Sequence, residues 1–428
     1  MHIPVLGLIG TAVGTLWNKL RGRPTVQADR GSVAAGGDQT INAPVATGRG
    51  VIATDQATVV ASPSGGPTII VQSVIVQSGG TLNLGSYVDG LPQAKDPVLR
   101  AAFEDGQRLQ LEGYQQEGYA AQSAHKHKEA IDRFTKALAL AETDSQRAAL
   151  HILRGNSQYS ISQYKEAEAD YQETLRLAER ISPAREAARA RAPALGNLGI
   201  VYGQRNGPGD LDKAEEHHTK ALEIDREIGY RRGEAADLGN LGTIYGRRGG
   251  PGNLDKAEDC FRQALEIHRE IGYRRGEAHQ LGNLGNVYLI RGDLAEAEKH
   301  YQEALDIHRE IGYRLGEAQD MGNLGTVYLR RGDPGDLDKA EEHSKQALDI
   351  HREIGNRAGE ALQMANLGLV YIQRGDTKNA RDYLQQAQAI YQEIGAGGEN
   401  PENARQALEI IAELERQQER GEKQHPEG

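Results

Sequence analysis

The chain has almost no cysteine: Cys260 stands alone among 428 residues. A single thiol excludes a disulfide framework and any multi-cysteine metal site, and it fits a reducing compartment. Large aromatics are scarce too, with one Trp and three Phe, although Tyr numbers 17. No run of about twenty apolar residues occurs, so no clear membrane span is expected. Basic residues are not in surplus. The formal net charge of −11 argues against nucleic acid as the main partner, because phosphate binding needs a basic face. Catalytic motifs are missing as well: there is no zinc-protease helix motif, no phosphate-binding Gly-Lys-Ser/Thr loop and no nucleophile elbow. The reading is therefore non-enzymatic, with no cofactor, no metal and no catalytic residue.

Acidic residues are thin in the first quarter, where no Glu precedes Glu104. Residues 1–97 carry six basic and five acidic residues, which leaves a net −12 for residues 98–428. This break marks a boundary near Pro97. The expected organisation is an apolar N-terminal helix over 1–24, a β-prone segment or linker over 25–97, a helical repeat array over 98–396, and a capping helix with a polar tail over 397–428.

What is abundant is glycine, at 52 residues, and much of it recurs on a fixed period. The segment Leu195-Gly-Asn-Leu-Gly199 returns as Leu238–Gly242, Leu281–Gly285, Met321–Gly325 and, loosely, Met364–Gly368, at intervals of 43, 43, 40 and 43 residues. Each copy continues to a Tyr: Tyr202, Tyr245, Tyr288, Tyr328 and Tyr371. A Gly turn, an Ala and an Ala-Leu pair follow. Leu238, Leu241 and Tyr245 fall on one helical stripe, and Ala257, Phe261, Ala264, Leu265 and Ile267 on a second. Each copy is thus a helical hairpin with small residues at the contact, and Gly ends the helices. A lone hairpin cannot bury its stripe, so neighbours must stack.

This pattern resembles the tetratricopeptide repeat, in a long-unit variant similar to Leu-Gly-Asn-repeat adaptors and kinesin light chains. Each unit adds a turn reading Arg-Glu-Ile-Gly-Tyr-Arg-x-Gly-Glu-Ala, as in Arg226–Ala235, Arg269–Ala278 and Arg309–Ala318. Earlier, divergent copies occupy 98–145 and 147–192, which makes seven units. The resemblance implies a mainly α fold, a right-handed α-solenoid whose first helices line a groove that captures extended peptides.

Candidate peptide-binding residues follow from the first helices. They are Asn197, Asn240, Thr243, Arg247, Asn283, Asn286, Asn323, Thr326, Arg330 and Asn366. An Asn amide both donates and accepts, so it can hold a peptide backbone without reading its sequence. The alternative is that these Asn bridge neighbouring helices. The repeated Arg/Glu pairs, such as Arg274 with Glu277, read as salt bridges between stacked units. His268, His308 and His351 recur once per unit, about 10 Å apart as helices stack, too far for one metal. Cys260 reads as a small core residue.

Residues 3–17 are uncharged and precede Lys19, Arg21 and Arg23. They read as a helix docked on the protein or touching a membrane. Residues 25–88 are uncrowded by charge, and Ile69, Ile70, Val71, Val74, Ile75 and Val76 are strongly β-prone. Asp29–Asp38 and Ala43–Gly48 resemble short amyloid-signalling motifs of bacterial defence proteins. The resemblance implies self-assembly through stacked strands, giving a homo-oligomer through residues 25–88. The functional expectation is a bacterial, cytoplasmic interaction scaffold with a peptide partner and no nucleic acid. The alternative is a signalling or defence assembly in which sensing by the groove is coupled to N-terminal self-assembly or to membrane contact through residues 3–17.

Overall fold

The computed structural model describes residues 58–60, 69–71, 97–205 and 207–396, with 404, 405, 407, 408 and 412 beyond them. Two three-residue strands, Thr58–Val60 (β1) and Ile69–Val71 (β2), pair antiparallel with Val59 opposite Ile70. The apolar segment 3–17 and the self-assembly residues Val74, Ile75 and Val76 lie outside the described residues. No helix among the described residues is long and apolar enough to cross a membrane.

Fourteen helices among the described residues form seven hairpins. The first three hairpins are α1 (Pro97–Ser123) with α2 (His127–Leu140), α3 (Asp144–Ser160) with α4 (Tyr164–Ala178), and α5 (Ala184–Arg205) with α6 (Asp210–Ile228). Four more follow: α7 (Arg231–Arg248) with α8 (Pro251–Glu270), α9 (Arg274–Arg291) with α10 (Leu294–Glu310), α11 (Arg314–Arg331) with α12 (Asp336–Glu353), and α13 (Arg357–Gln373) with α14 (Thr377–Glu393). The described chain divides into two compact units, one ending at Ile228 and the other beginning at Gly229. Within each unit every helix packs on the next in sequence, the arrangement of a helical solenoid.

The hairpins close tightly because small residues meet large ones. Ala130, Ala167, Ala214, Ala257, Ala297, Ala340 and Ala380, one near the start of each second helix, are all fully buried. The Gly of each Leu-Gly repeat lies beneath a side chain of the second helix. A methyl added to Gly242 would stand 2.6 Å from the Phe261 ring, and one added to Gly285 would stand 2.6 Å from the Tyr301 ring. Only a residue without Cβ permits that approach.

The helix ends follow from local chemistry. Second helices finish in Ile-Gly, and Gly272, Gly312, Gly355 and Gly395 sit in the left-handed region at φ 62 to 68. Thr143 and Gln146 form a reciprocal capping box at α3. Asp293, Asn356 and Asp376 each cap the following helix through a backbone N–H three residues on. At the far end Ala404 and Ala407 are buried with Leu384, Ala387 and Tyr391.

Candidate functional site

In the second unit, the first helices α7, α9, α11 and α13 each carry one outward stripe. On α7 it consists of Arg232, Ala236, Asn240, Thr243 and Arg247; on α9, of Arg275, His279, Asn283, Asn286 and Ile290. On α11 it consists of Leu315, Gln319, Asn323, Thr326 and Arg330; on α13, of Ala358, Leu362, Asn366, Leu369 and Gln373. The spacing of four, four, three and four residues keeps each set on one helix face. Arg247, Ile290, Arg330, Leu369 and Gln373 are exposed, and the Asn and Thr positions are half-buried. Successive first helices also touch one another directly. Their contact is close because Gly239 and Gly322 lie under Gln280 and Gln363 of the next first helix, where a methyl would come within 3.0 and 2.4 Å of the amide nitrogen. The stripes are thereby drawn into one continuous face.

The sequence-predicted residues divide within this frame. The structure gives Asn240 and Asn323 no hydrogen-bond partner among the described residues, so their amides are available to a ligand. Asn283 and Asn366 donate to Gln280 and Gln363, each at 3.3 Å on their own helix, which orients the amides. Thr243 and Thr326 donate to the carbonyls of Gly239 and Gly322 at 3.0 Å. Asn286 instead accepts from the Tyr301 hydroxyl at 2.8 Å, and Arg330 donates to the Leu289 carbonyl at 3.2 Å. In the first unit Asn197 donates to Asn156 at 2.9 Å, the same oxygen that accepts from Tyr171 at 2.8 Å. Asn197 and Asn286 therefore brace helices, and the free amides are concentrated at Asn240 and Asn323.

Two kinds of ion-pair staple hold these stripes in register. In the first, a buried Glu near the start of a first helix is gripped by two Arg. Glu277 accepts from Arg269 at 2.9 Å and from Arg274, whose other nitrogen reaches Glu310 at 2.5 Å one hairpin onward. Glu317 is held likewise by Arg309 and Arg314, and Glu360 by Arg352 and Arg357, with Arg314 reaching Glu353 and Arg357 reaching Glu393. In the second kind, a Tyr and an Arg ending a first helix share a Glu of the preceding second helix. Tyr328 donates to Glu298 at 2.7 Å and Arg331 at 2.6 Å, and Tyr371 with Arg374 treats Glu341 in the same way. Burial pushes the Glu341 carboxyl up, but Lys345, Tyr371 and Arg374 together draw it down to about 2.

The recurrent histidines are packing residues. His268, His308 and His351 are buried, and each ring lies against the Gly of the next Arg-x-Gly-Glu: Gly276, Gly316 and Gly359. Among the described residues no three His, Cys, Asp or Glu side chains converge as metal ligands. Cys260 is half-buried on α8. His308 Nδ1 and Asp320 Oδ2 meet at 2.7 Å, both buried, while His308 Nε2 is buried without a partner and His279 packs edge-on against the His308 ring. Sequence reading missed this pair, because its members lie on different helices with no fixed spacing motif.

The pair gives a pH prediction. Burial raises the Asp320 carboxyl to about 6 and lowers His279 to about 4. The Asp320 contribution is fully present below the unfolded carboxylate value, near 4, and is lost as pH rises through about 6. The His279 contribution is present above about 6.5 and is lost as pH falls toward 4. The two trends oppose each other in one window. Asp320→Asn removes the first, so the variant should lose more melting temperature than the parent between pH 6.5 and 4.5. Parallel thermal scans of both proteins check this; equal slopes would contradict it.

Two family models match the sequence of this region. The model described as a MalT-like TPR region covers residues 235–421, and one described as a tetratricopeptide repeat covers residues 191–270. No curated protein matches the sequence. Solved structures share the fold at low identity. Aspartyl phosphate phosphatase F from Bacillus subtilis is 13% identical, with a TM-score of 0.55, covering 73% of this chain and 81% of its own. The apo form of RapI is 16% identical with a TM-score of 0.52, covering 67% and 99%. A signal-transduction ATPase with a tetratricopeptide repeat sensor, from Pyrococcus horikoshii, is 17% identical with a TM-score of 0.50, covering 76% of this chain and 51% of its own.

Proposed function

We propose, for a chain whose residues 191–421 are tetratricopeptide repeats, that it is a protein-interaction scaffold holding an extended segment of a partner on the stripes of its first helices. One observation carries this reading. Asn240, Asn283, Asn323 and Asn366 occupy one structural position on four successive first helices, half-exposed, with Asn240 and Asn323 unengaged. Neither amide is among the buried unpartnered groups, so both reach solvent, and an extended backbone offers each a carbonyl and an N–H at every residue. The Asn set thus grips main chain, and the residues around it choose the sequence.

Display of random twelve-residue peptides against the full-length protein tests the reading. Selected peptides should bind at least tenfold more weakly to the Asn240→Ala, Asn323→Ala double variant. Its melting temperature should stay within about 2 °C of the parent, since neither amide bonds to the protein. Undiminished peptide affinity in the double variant would overturn the proposal.

A further inference from the structure

The acidic total charge hides a sharp internal division. In the second unit the four second helices, α8, α10, α12 and α14, carry 18 carboxylates against 10 Lys and Arg. The four first helices carry the opposite balance, 11 Arg against six carboxylates. All six of those carboxylates, Glu234, Asp237, Glu277, Glu317, Asp320 and Glu360, are buried. None of the twenty outward stripe positions is Asp or Glu.

We propose that this face takes an acidic extended segment of a partner protein, a specificity that rests on the peptide-binding reading above. Most guanidinium groups of the first helices are spent on the staples. Three stripe arginines are not: Arg232, Arg275 and Arg330 form no ion pair with a carboxylate among the described residues. Arg232 lies over the Tyr273 ring at 4.7 Å, and Arg275 over the Tyr313 ring at 4.0 Å with a bond to its hydroxyl at 2.9 Å. The rings hold these planar groups in place without neutralising them, and each keeps nitrogens for a carboxylate. Arg330 spends one nitrogen on the Leu289 carbonyl and is otherwise exposed. The net negative charge of the second helices disfavours a carboxylate-rich ligand there, so the charge pattern directs such a segment toward the stripes. Lys is absent from all four first helices. Arg is the residue that can grip a carboxylate with two parallel bonds.

The test uses full-length protein and three fluorescein-labelled sixteen-residue probes: alternating Glu-Gly, Gln-Gly and Lys-Gly. At 50 mM salt the Glu-Gly probe should bind at least tenfold more tightly than the Gln-Gly probe, and the Lys-Gly probe more weakly than either. Its affinity should fall at least threefold at 200 mM salt through screening. The Arg232→Gln, Arg275→Gln, Arg330→Gln variant should lose at least tenfold for the Glu-Gly probe with an unchanged circular-dichroism spectrum. The Lys256→Gln, Lys299→Gln, Lys339→Gln variant, which removes equal charge from the second helices, should lose less than twofold. Equal binding of the Glu-Gly and Gln-Gly probes, or equal loss in the two variants, overturns the proposal. Tight binding of a twenty-nucleotide oligothymidylate with none of the Glu-Gly probe also overturns it, in favour of nucleic acid. If display-selected peptides still bind through Asn240 and Asn323 in any of those cases, the peptide-binding reading stands and only the acidic specificity falls.

Discussion

Truncating Tyr301 to Ala should destabilise the second unit by about 3–5 kcal/mol, the range for removing a large aromatic from a packed core. Tyr301 is fully buried between the two helices of its hairpin and donates to Asn286 at 2.8 Å. The change removes the ring that covers Gly285 and leaves the Asn286 carbonyl without its donor. Tyr301→Phe separates the two losses. It keeps the ring and should cost only about 1 kcal/mol, the usual net worth of one hydrogen bond. Stacked repeats spread unfolding over neighbours, so the readout is hydrogen exchange at the amides of α9 and α10 alongside denaturant melts. Equal stability of the Ala and Phe variants would show that the ring does not hold the hairpin.

Gly285→Ala should change sign with the residue opposite it. In the parent the new methyl meets the Tyr301 ring at 2.6 Å, a contact no real Cβ tolerates. Overpacking of this kind costs about 1–3 kcal/mol. In the Tyr301→Ala background the space is open, and Ala then gains its helix propensity over Gly, worth up to about 1 kcal/mol. The double-mutant coupling is therefore expected to exceed about 1 kcal/mol. Additive effects would mean that the helices separate freely and that the Leu-Gly position is not a close contact.

The sequence by itself determined the repeat and its hairpin. Leu-Gly-x-Leu-Gly, the spaced Ala and the closing Ile-Gly are local patterns. Each is imposed by a requirement that any neighbour would make: a stripe to bury, a contact too close for Cβ, a left-handed turn. The Arg/Glu pairs were legible as staples for the same reason, since their spacing repeats with the unit. The fate of the candidate binding residues was decided only by tertiary structure. Thr243 and Asn286 hold one structural position. Thr243 donates to the Gly239 carbonyl of its own helix, as Thr326 does to Gly322 even though the second helix there carries the Ser344 hydroxyl. Opposite Asn286 the second helix places Tyr301, whose hydroxyl takes up the amide. Whether an Asn braces the array or faces outward thus depends on a side chain fifteen or more residues away on another helix. Tertiary structure also decided the charge of the face. The pairing of Glu277 and Glu317 with arginines was legible from the repeat, but only the tertiary structure shows both carboxylates buried, away from the outward stripes that carry Arg232, Arg275 and Arg330.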